Sequence, residues 1–370
     1  SSDLVDIPEE DWILFETSLL YPELSHAVLF NRSLEDKTDV LPESAAINFA
    51  VPTEVETDSI QFPTYNDFVF PFAPLGEFAN LLHAVNYQED ADGVSRTMPL
   101  LTEYRDSFYP ALVLRALEQH LGLSDYRVTD RSIDLYRGEE LVRSVPVDSS
   151  GDLSIAFYED YNEFQTVPAD VVIASSLNVR DGFEPLISPE EFAGKIVVFG
   201  ASATGLRDIK VTPMGSNVAG PYLHLNAISN ILEEQYLTRP STAVSMTITV
   251  ALVVAVAIVT ILLQGRFFRF LIGAVLVVAW VVFSLLVFRS SQMMVEAAPP
   301  LLASAIAYFA GLVFVGLTEA RERFKIAGAM GKYLAPDVMT EVLENYDELV
   351  GEVGEEREIA ILFSDIRGFT

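Results

Sequence analysis

The chain has 370 residues, more than one compact domain usually holds, and a formal net charge of -30 from 53 acidic and 23 basic residues. Residues 1–240 alone carry 40 acidic against 14 basic side chains, a net of -26, which repels phosphate backbones and excludes nucleic acid as a partner. There is no cysteine, so disulfides, thiolate metal sites and cysteine nucleophiles are excluded.

The chain starts at Ser1-Ser2, without a methionine or an apolar leader, and is expected to be a fragment cut at both ends. Through residue 240, short apolar runs alternate with amphipathic stretches. The runs predict strands over residues 26–30, 45–50, 171–174 and 195–200, and helices over 75–86, 110–121 and 222–234. In the second helix Leu112, Leu117 and Leu121 recur at helical spacing and Gly122 stops it. Such mixing predicts an α/β domain with sheet and helices in layers.

Three features of this region invite functional readings and are better explained otherwise. Gly200 and Gly205 have the glycine spacing of a phosphate-binding loop, but Leu206 and Arg207 stand where that motif needs Lys and Ser or Thr. A loop after a buried strand is the expectation there. Asp90-Ala91-Asp92-Gly93 has half the pattern of a calcium loop and lacks the third acidic position and the closing Glu, so a tight turn is expected. His26, His83, His120 and His224 are far apart in the chain and show no paired metal spacing; they read as single satisfied or surface histidines.

A set of short pieces in this region occurs in a telling order. Asp92-Gly93-Val94-Ser95-Arg96 is followed by Met98-Pro99-Leu100 and by Ser107-Phe108-Tyr109-Pro110-Ala111-Leu112. Gly194-Lys195-Ile196-Val197-Val198-Phe199-Gly200 comes next, then Asp208 with Pro213, and Gly220-Pro221-Tyr222-Leu223-His224 with Asn226-Ala227. In this the region resembles the type-two CHASE sensor domain of bacterial transmembrane receptors. The resemblance implies an extracytoplasmic α/β sensor for an unknown ligand, set in a bacterial inner membrane. Leu225 departs from the small residue usual after the histidine, and the family's leading membrane helix and the start of its sensor domain are missing.

Three uncharged apolar runs follow, with cores at 243–263, 270–288 and 297–318. Each reaches the roughly 20 residues a helix needs to cross a bilayer, so three transmembrane α-helices are predicted. The first connection carries Arg266 and Arg269, and the third run is followed by Arg321, Arg323 and Lys325. The second connection has Arg289 opposed by Glu296. Basic residues in short loops mark the cytoplasmic side, which puts the tail inside and residues 1–240 outside.

The third helix continues into Glu319-Ala320-Arg321-Glu322-Arg323-Phe324-Lys325 without a breaker, which would carry a conformational change inward through residues 319–355. Gly328 and Gly331 weaken it, Pro336 opens a short helix over 337–343, and the acidic stretch 344–358 is expected to be a solvated linker or hairpin. Residues 356–370 read EREIAILFSDIRGFT. Physically this is a buried strand, Ile359 to Phe363, delivering the Asp365 carboxylate to a sheet edge beside a turn-prone loop. A carboxylate held there suits magnesium-dependent phosphate chemistry, since hard cations take oxygen ligands.

With Lys332-Tyr333-Leu334-Ala335-Pro336 ahead of it, ILFSDIRGFT is similar to the opening of the class III adenylyl and guanylyl cyclase catalytic domain. That resemblance covers the first strand and loop of an α+β, ferredoxin-like (palm) domain. It implies that Asp365 and the backbone carbonyl of Ile366 bind two magnesium (or manganese) ions, and that Gly368, Phe369 and Thr370 approach the nucleotide triphosphate. It also implies a homodimer that converts ATP, with GTP the alternative, to a cyclic nucleotide and pyrophosphate. The groups completing the site would lie beyond Thr370, so residues 1–370 alone are expected to be inactive. A diguanylate cyclase would want an acidic residue and a Lys near 367–370, and neither is there. The reading from a different class is a non-enzymatic membrane sensor that signals by binding partners.

Overall fold

In Ser25–Asn31 the side chains of Val28 and Phe30 are buried while Leu29 between them is exposed, the period-two pattern of a strand with one face on a core. This computed structural model describes residues 9–21, 23–31, 49–69, 81–158, 164–201, 208–263 and 265–330. They fall in two compact units, Ser1–Arg239 with Arg289–Met294, and Pro240–Phe288 with Val295–Thr370.

The first unit begins with helix α1 (Glu9–Leu20), then strands β1 (Ser25–Asn31), β2 (Thr53–Val55), β3 (Asp67–Val69) and β4 (Leu81–Ala84). β1 lies between β3, antiparallel, and β4, parallel, with Val28 opposite Ala84. Then come β5 (Thr97–Pro99), β6 (Leu101–Tyr104), β7 (Ser107–Pro110) and helix α2 (Leu112–Leu121). β6 and β7 form a hairpin whose two loop residues, Arg105 and Asp106, have φ 48° and 59°, as a tight turn matching the strand twist requires. Strands β8 (Asp125–Val128), β9 (Ser132–Arg137) and β10 (Glu140–Pro146) make an antiparallel meander that β2 extends in parallel. β11 (Asp152–Ser154) pairs with β5, and after helix α3 (Ala169–Arg180) the hairpin β12 (Ile209–Thr212) and β13 (Gly215–Ala219) runs straight into helix α4 (Gly220–Leu232).

Two apolar clusters organise the unit. Val113, Leu114 and Leu117 of α2 and Leu223, Ala227, Ile228 and Ile231 of α4 pack with Tyr126, Ile133 and Leu135 of the meander. Burying each of these large side chains contributes about 1.5–3 kcal/mol. The second cluster is aromatic: Phe30, Phe49, Tyr104 and Tyr109, with Phe49 and Tyr109 ring centroids 4.7 Å apart. Arg115 crosses between them almost fully buried, donating through Nε to Leu82 O and through Nη2 to Phe49 O, both at 2.9 Å, and pairing with Glu118.

The structure differs from the sequence expectations at four places. Residues 171–174 are inside helix α3, because Pro168 fixes an extended entry and the pattern runs for 12 residues rather than four. Residues 81–84, expected to end a helix, are strand β4, buried on both faces as a parallel neighbour requires; residues 75–80 lie outside the described residues. Residues 195–200 alternate as a strand should, Ile196 and Val198 against the core and Phe199 90 % exposed, yet they join no ladder among the described residues. Of the strand expected over 45–50 only Phe49 and Ala50 are described, and they are not in a strand.

The second unit holds three helices, α5 (Thr242–Leu262), α6 (Arg266–Ser291) and α7 (Ala298–Met330). All three are long and apolar enough to cross a membrane. Most of their large apolar side chains are exposed, as lipid contact demands. At 33 residues α7 is about 50 Å long, more than a hydrocarbon core of about 30 Å, so its charged end extends past the apolar part. Gly311 of α7 packs on Thr260 of α5, where a Cβ would come within 2.9 Å of the threonine methyl. Small residues at such crossings let helices approach closely in lipid. Arg269 pairs with Glu319 at 3.5 Å, which brings the start of α6 and the charged end of α7 together.

Candidate functional site in the first unit

Asp148-Ser149-Ser150-Gly151-Asp152 folds as a tight turn at the start of β11. The Asp148 Oδ1 accepts from the Ser150 and Asp152 amides at 2.8 and 3.1 Å. Gly151 has φ +81°, and a Cβ there would stand 2.4 Å from Phe62, so glycine both makes the turn and admits the ring. Asp152 is thereby roofed over and is 9 % exposed. Its Oδ1 has no hydrogen-bond partner among the described residues. Burial, then the negative charges of Asp148 and Asp90, push its carboxyl up to about 7, against a bond from Thr97 that favours the charged form.

Asp152 lines a cavity of about 290 Å³ together with Gln61, Phe62, Tyr65, Tyr87 and Gln88. Tyr87 donates to Glu89 at 2.5 Å, and the Lys210 ammonium sits 3.9 Å above its ring. Lys210 in turn lies 3.6 Å from Asp208. The Asp208 carboxylate packs against Gly220, the first residue of α4, where any Cβ would fall 2.2 Å from Oδ2. A carboxylate in that position faces the positive end of the helix dipole. From the other direction, Asn226 and Asn230 of α4, both fully buried, clip the segment after β11. Asn226 accepts from the Tyr158 amide at 3.0 Å, and Asn230 accepts from the Ala156 amide at 2.8 Å. The segment after β11 and, through Lys210 and Asp208, the Tyr87 ring are thus linked to α4, and the chain passes soon after α4 into the apolar helix α5.

Three of the four histidines that the sequence separates, His26, His83 and His224, are brought into one neighbourhood. His26 bonds Ser18 of α1 at 2.8 Å, and His83 bonds Ser25 at 2.7 Å. Burial, then His224, Arg115 and His26, depress His83 to about 3. His224 is held at about 4 by burial, with Lys210 helping and Asp208 opposing. Its Nδ1 is unpartnered among the described residues. Sequence reasoning missed this grouping because it arises from the parallel pairing of β1 with β4 and from α4, none of which leaves a spacing signal. The Asp90–Asp92 turn is as expected: Gly93 donates to Asp90 O at 2.8 Å, and Arg96 bridges both carboxylates at 2.6 to 2.9 Å.

The other expected site residues, Asp365, Ile366, Gly368, Phe369 and Thr370, lie outside the described residues. Within the described ones there is no group of three or more His, Cys, Asp or Glu side chains placed to hold a metal.

A family model described as the CHASE2 domain matches residues 11–264, more than half of the chain and most of the first unit. No curated protein and no solved structure matches.

Proposed function

Since this chain belongs to the CHASE2 domain family, we propose that it is the receptor part of a membrane adenylate cyclase, with the first unit sensing a signal outside the cell and the tail opening a catalytic domain inside. The observation that carries the reading is the order of parts: a sensor domain, three membrane-competent helices, then ILFSDIRGFT. The Arg269–Glu319 pair sets the two arginine-bearing flanks at the same end of the helices, so the excess of basic residues can be counted for them together. Helix α7 supplies a continuous path from the apolar part to the tail.

In this reading the chain's own contribution to catalysis is Asp365 and the Ile366 carbonyl, both oxygen donors of the kind that hard cations take. Two magnesium or manganese ions, when bound, would acidify the ribose 3′-hydroxyl and neutralise charge growing on the phosphates. Gly368 lets the loop backbone come close to a triphosphate, and the groups that complete the site would come from beyond Thr370 in the homodimer.

The test is cyclic AMP formation from ATP in membranes carrying the product of the complete reading frame. The wild type is expected to turn over, and Asp365→Asn to lose nearly all activity while inserting normally. Retained activity in Asp365→Asn removes the metal role. Absence of any cyclic nucleotide, from ATP or GTP, favours the non-enzymatic sensor.

A further inference from the structure

We propose that the cavity beside Asp152 binds a small organic ammonium compound, an amine or a quaternary ammonium. The site holds a buried acid with an unpartnered oxygen among the described residues. Asp152 is 9 % exposed, its Oδ1 lacks a partner among the described residues, and the charges acting on it, from Asp148 and Asp90, are negative too. Without a cation the buried carboxyl keeps its proton up to about pH 7, and a ligand ammonium can take the place of that proton.

The cavity wall offers ring faces to such a cation. Three rings, Phe62, Tyr65 and Tyr87, line the cavity among polar groups that include Gln61, Gln88 and Ser150. Aromatic rings attract ammonium groups through their negative faces, and recognition of such cations commonly uses several rings and one carboxylate. Tyr87 already does this with a group of the chain itself, the Lys210 ammonium at 3.9 Å from its ring. A bare metal ion fits less well, since no three-carboxylate or histidine group is assembled among the described residues. The volume of about 290 Å³ is at the small end for ligand sites. The net charge of -26 over residues 1–240 draws cations toward the unit and turns anions away.

A ligand there touches Asp152 of β11, just before the segment that Asn226 and Asn230 fasten to α4, and the ring that Lys210 and Asp208 connect to the start of the same helix. Binding is thus placed to bias the element that leads to the first apolar helix. The proposal rests on the first unit being the sensing part of a receptor, and its test uses no cyclase readout, so either reading can fail alone.

The test is isothermal titration of the purified 370-residue chain with tetramethylammonium chloride, choline chloride and 3,3-dimethylbutan-1-ol, the uncharged carbon isostere of choline. At least one ammonium probe is expected to bind at about 1 mM or tighter, and the isostere at least about tenfold more weakly. Asp152→Asn and Tyr87→Leu are expected to weaken the ammonium probe about tenfold or more, while Tyr87→Phe, which keeps the ring face, retains it. The proposal is overturned if neither ammonium probe binds, if the isostere binds equally well, or if Asp152→Asn binds undiminished.

Discussion

Replacing Asp152 by Asn should make the protein more stable at neutral pH and erase one limb of its pH dependence. The folded state holds this carboxyl at about 7, against 3.8 for the ordinary group, chiefly because of burial. Between these values the folded chain binds a proton that the unfolded chain has released. The contribution of Asp152 is therefore fully present below about pH 3.8 and is lost as pH rises through about 7. The gap of about three pKa units corresponds to on the order of 4 kcal/mol at the upper end. Asparagine has the same shape and no titration, so the difference in unfolding free energy, variant minus wild type, isolates the carboxyl from every group that both proteins share. Urea unfolding followed by circular dichroism at half-unit pH steps measures it. The difference should climb by a few kcal/mol from pH 4 to 7 and level off above about 8. A flat difference over that range would refute the reasoning, because it would mean that the carboxyl is solvated or partnered.

Other consequences are as direct. Arg115→Met removes a buried guanidinium that bonds Leu82 O and Phe49 O and leaves Glu118 without its cation, so a loss of about 3–5 kcal/mol in urea unfolding is expected. Gly220→Ala puts a methyl 2.2 Å from Asp208 Oδ2 and should lower stability by about 1–3 kcal/mol; an unchanged melt would mean that the carboxylate moves aside freely. His83 and His224, held at about 3 and 4, have the opposite sign to Asp152. Their contribution is present above pH 6.5 and is lost as pH falls toward those values, and His83→Gln should flatten that acid limb of the stability curve.

The parts of the fold that were legible in the sequence are those whose burial is one-sided and local. Helices α2 and α4 show their apolar stripes, and the three long apolar helices need only length and composition. The misread segments have burial decided elsewhere. Leu81-Leu82-His83-Ala84 is buried on both faces, and the choice of strand comes from pairing with β1, more than fifty residues earlier. Val171 to Ile173 are β-branched, a weak preference that a 12-residue helix starting after Pro168 overrides. The Asp152 site was invisible for a similar reason. The composition of Asp148 to Asp152 carries no sign of burial, which comes from distant residues: Pro99, paired with Asp152, and Phe62, packed on Gly151. The polar clips from Asn226 and Asn230 fall inside an amphipathic helix, where asparagine by itself signals little.

The account stands on a sensing unit outside the membrane and a tail inside it, and the absence of cysteine allows a direct test. Single cysteines are introduced at Gln292, between the second and third apolar helices, and at Gln264, between the first and second, and intact cells are treated with a membrane-impermeant thiol reagent. Cysteine at Gln292 is predicted to label, and cysteine at Gln264 to label only after the membrane is opened. The reverse pattern would place the first unit in the cytoplasm and contradict the receptor account.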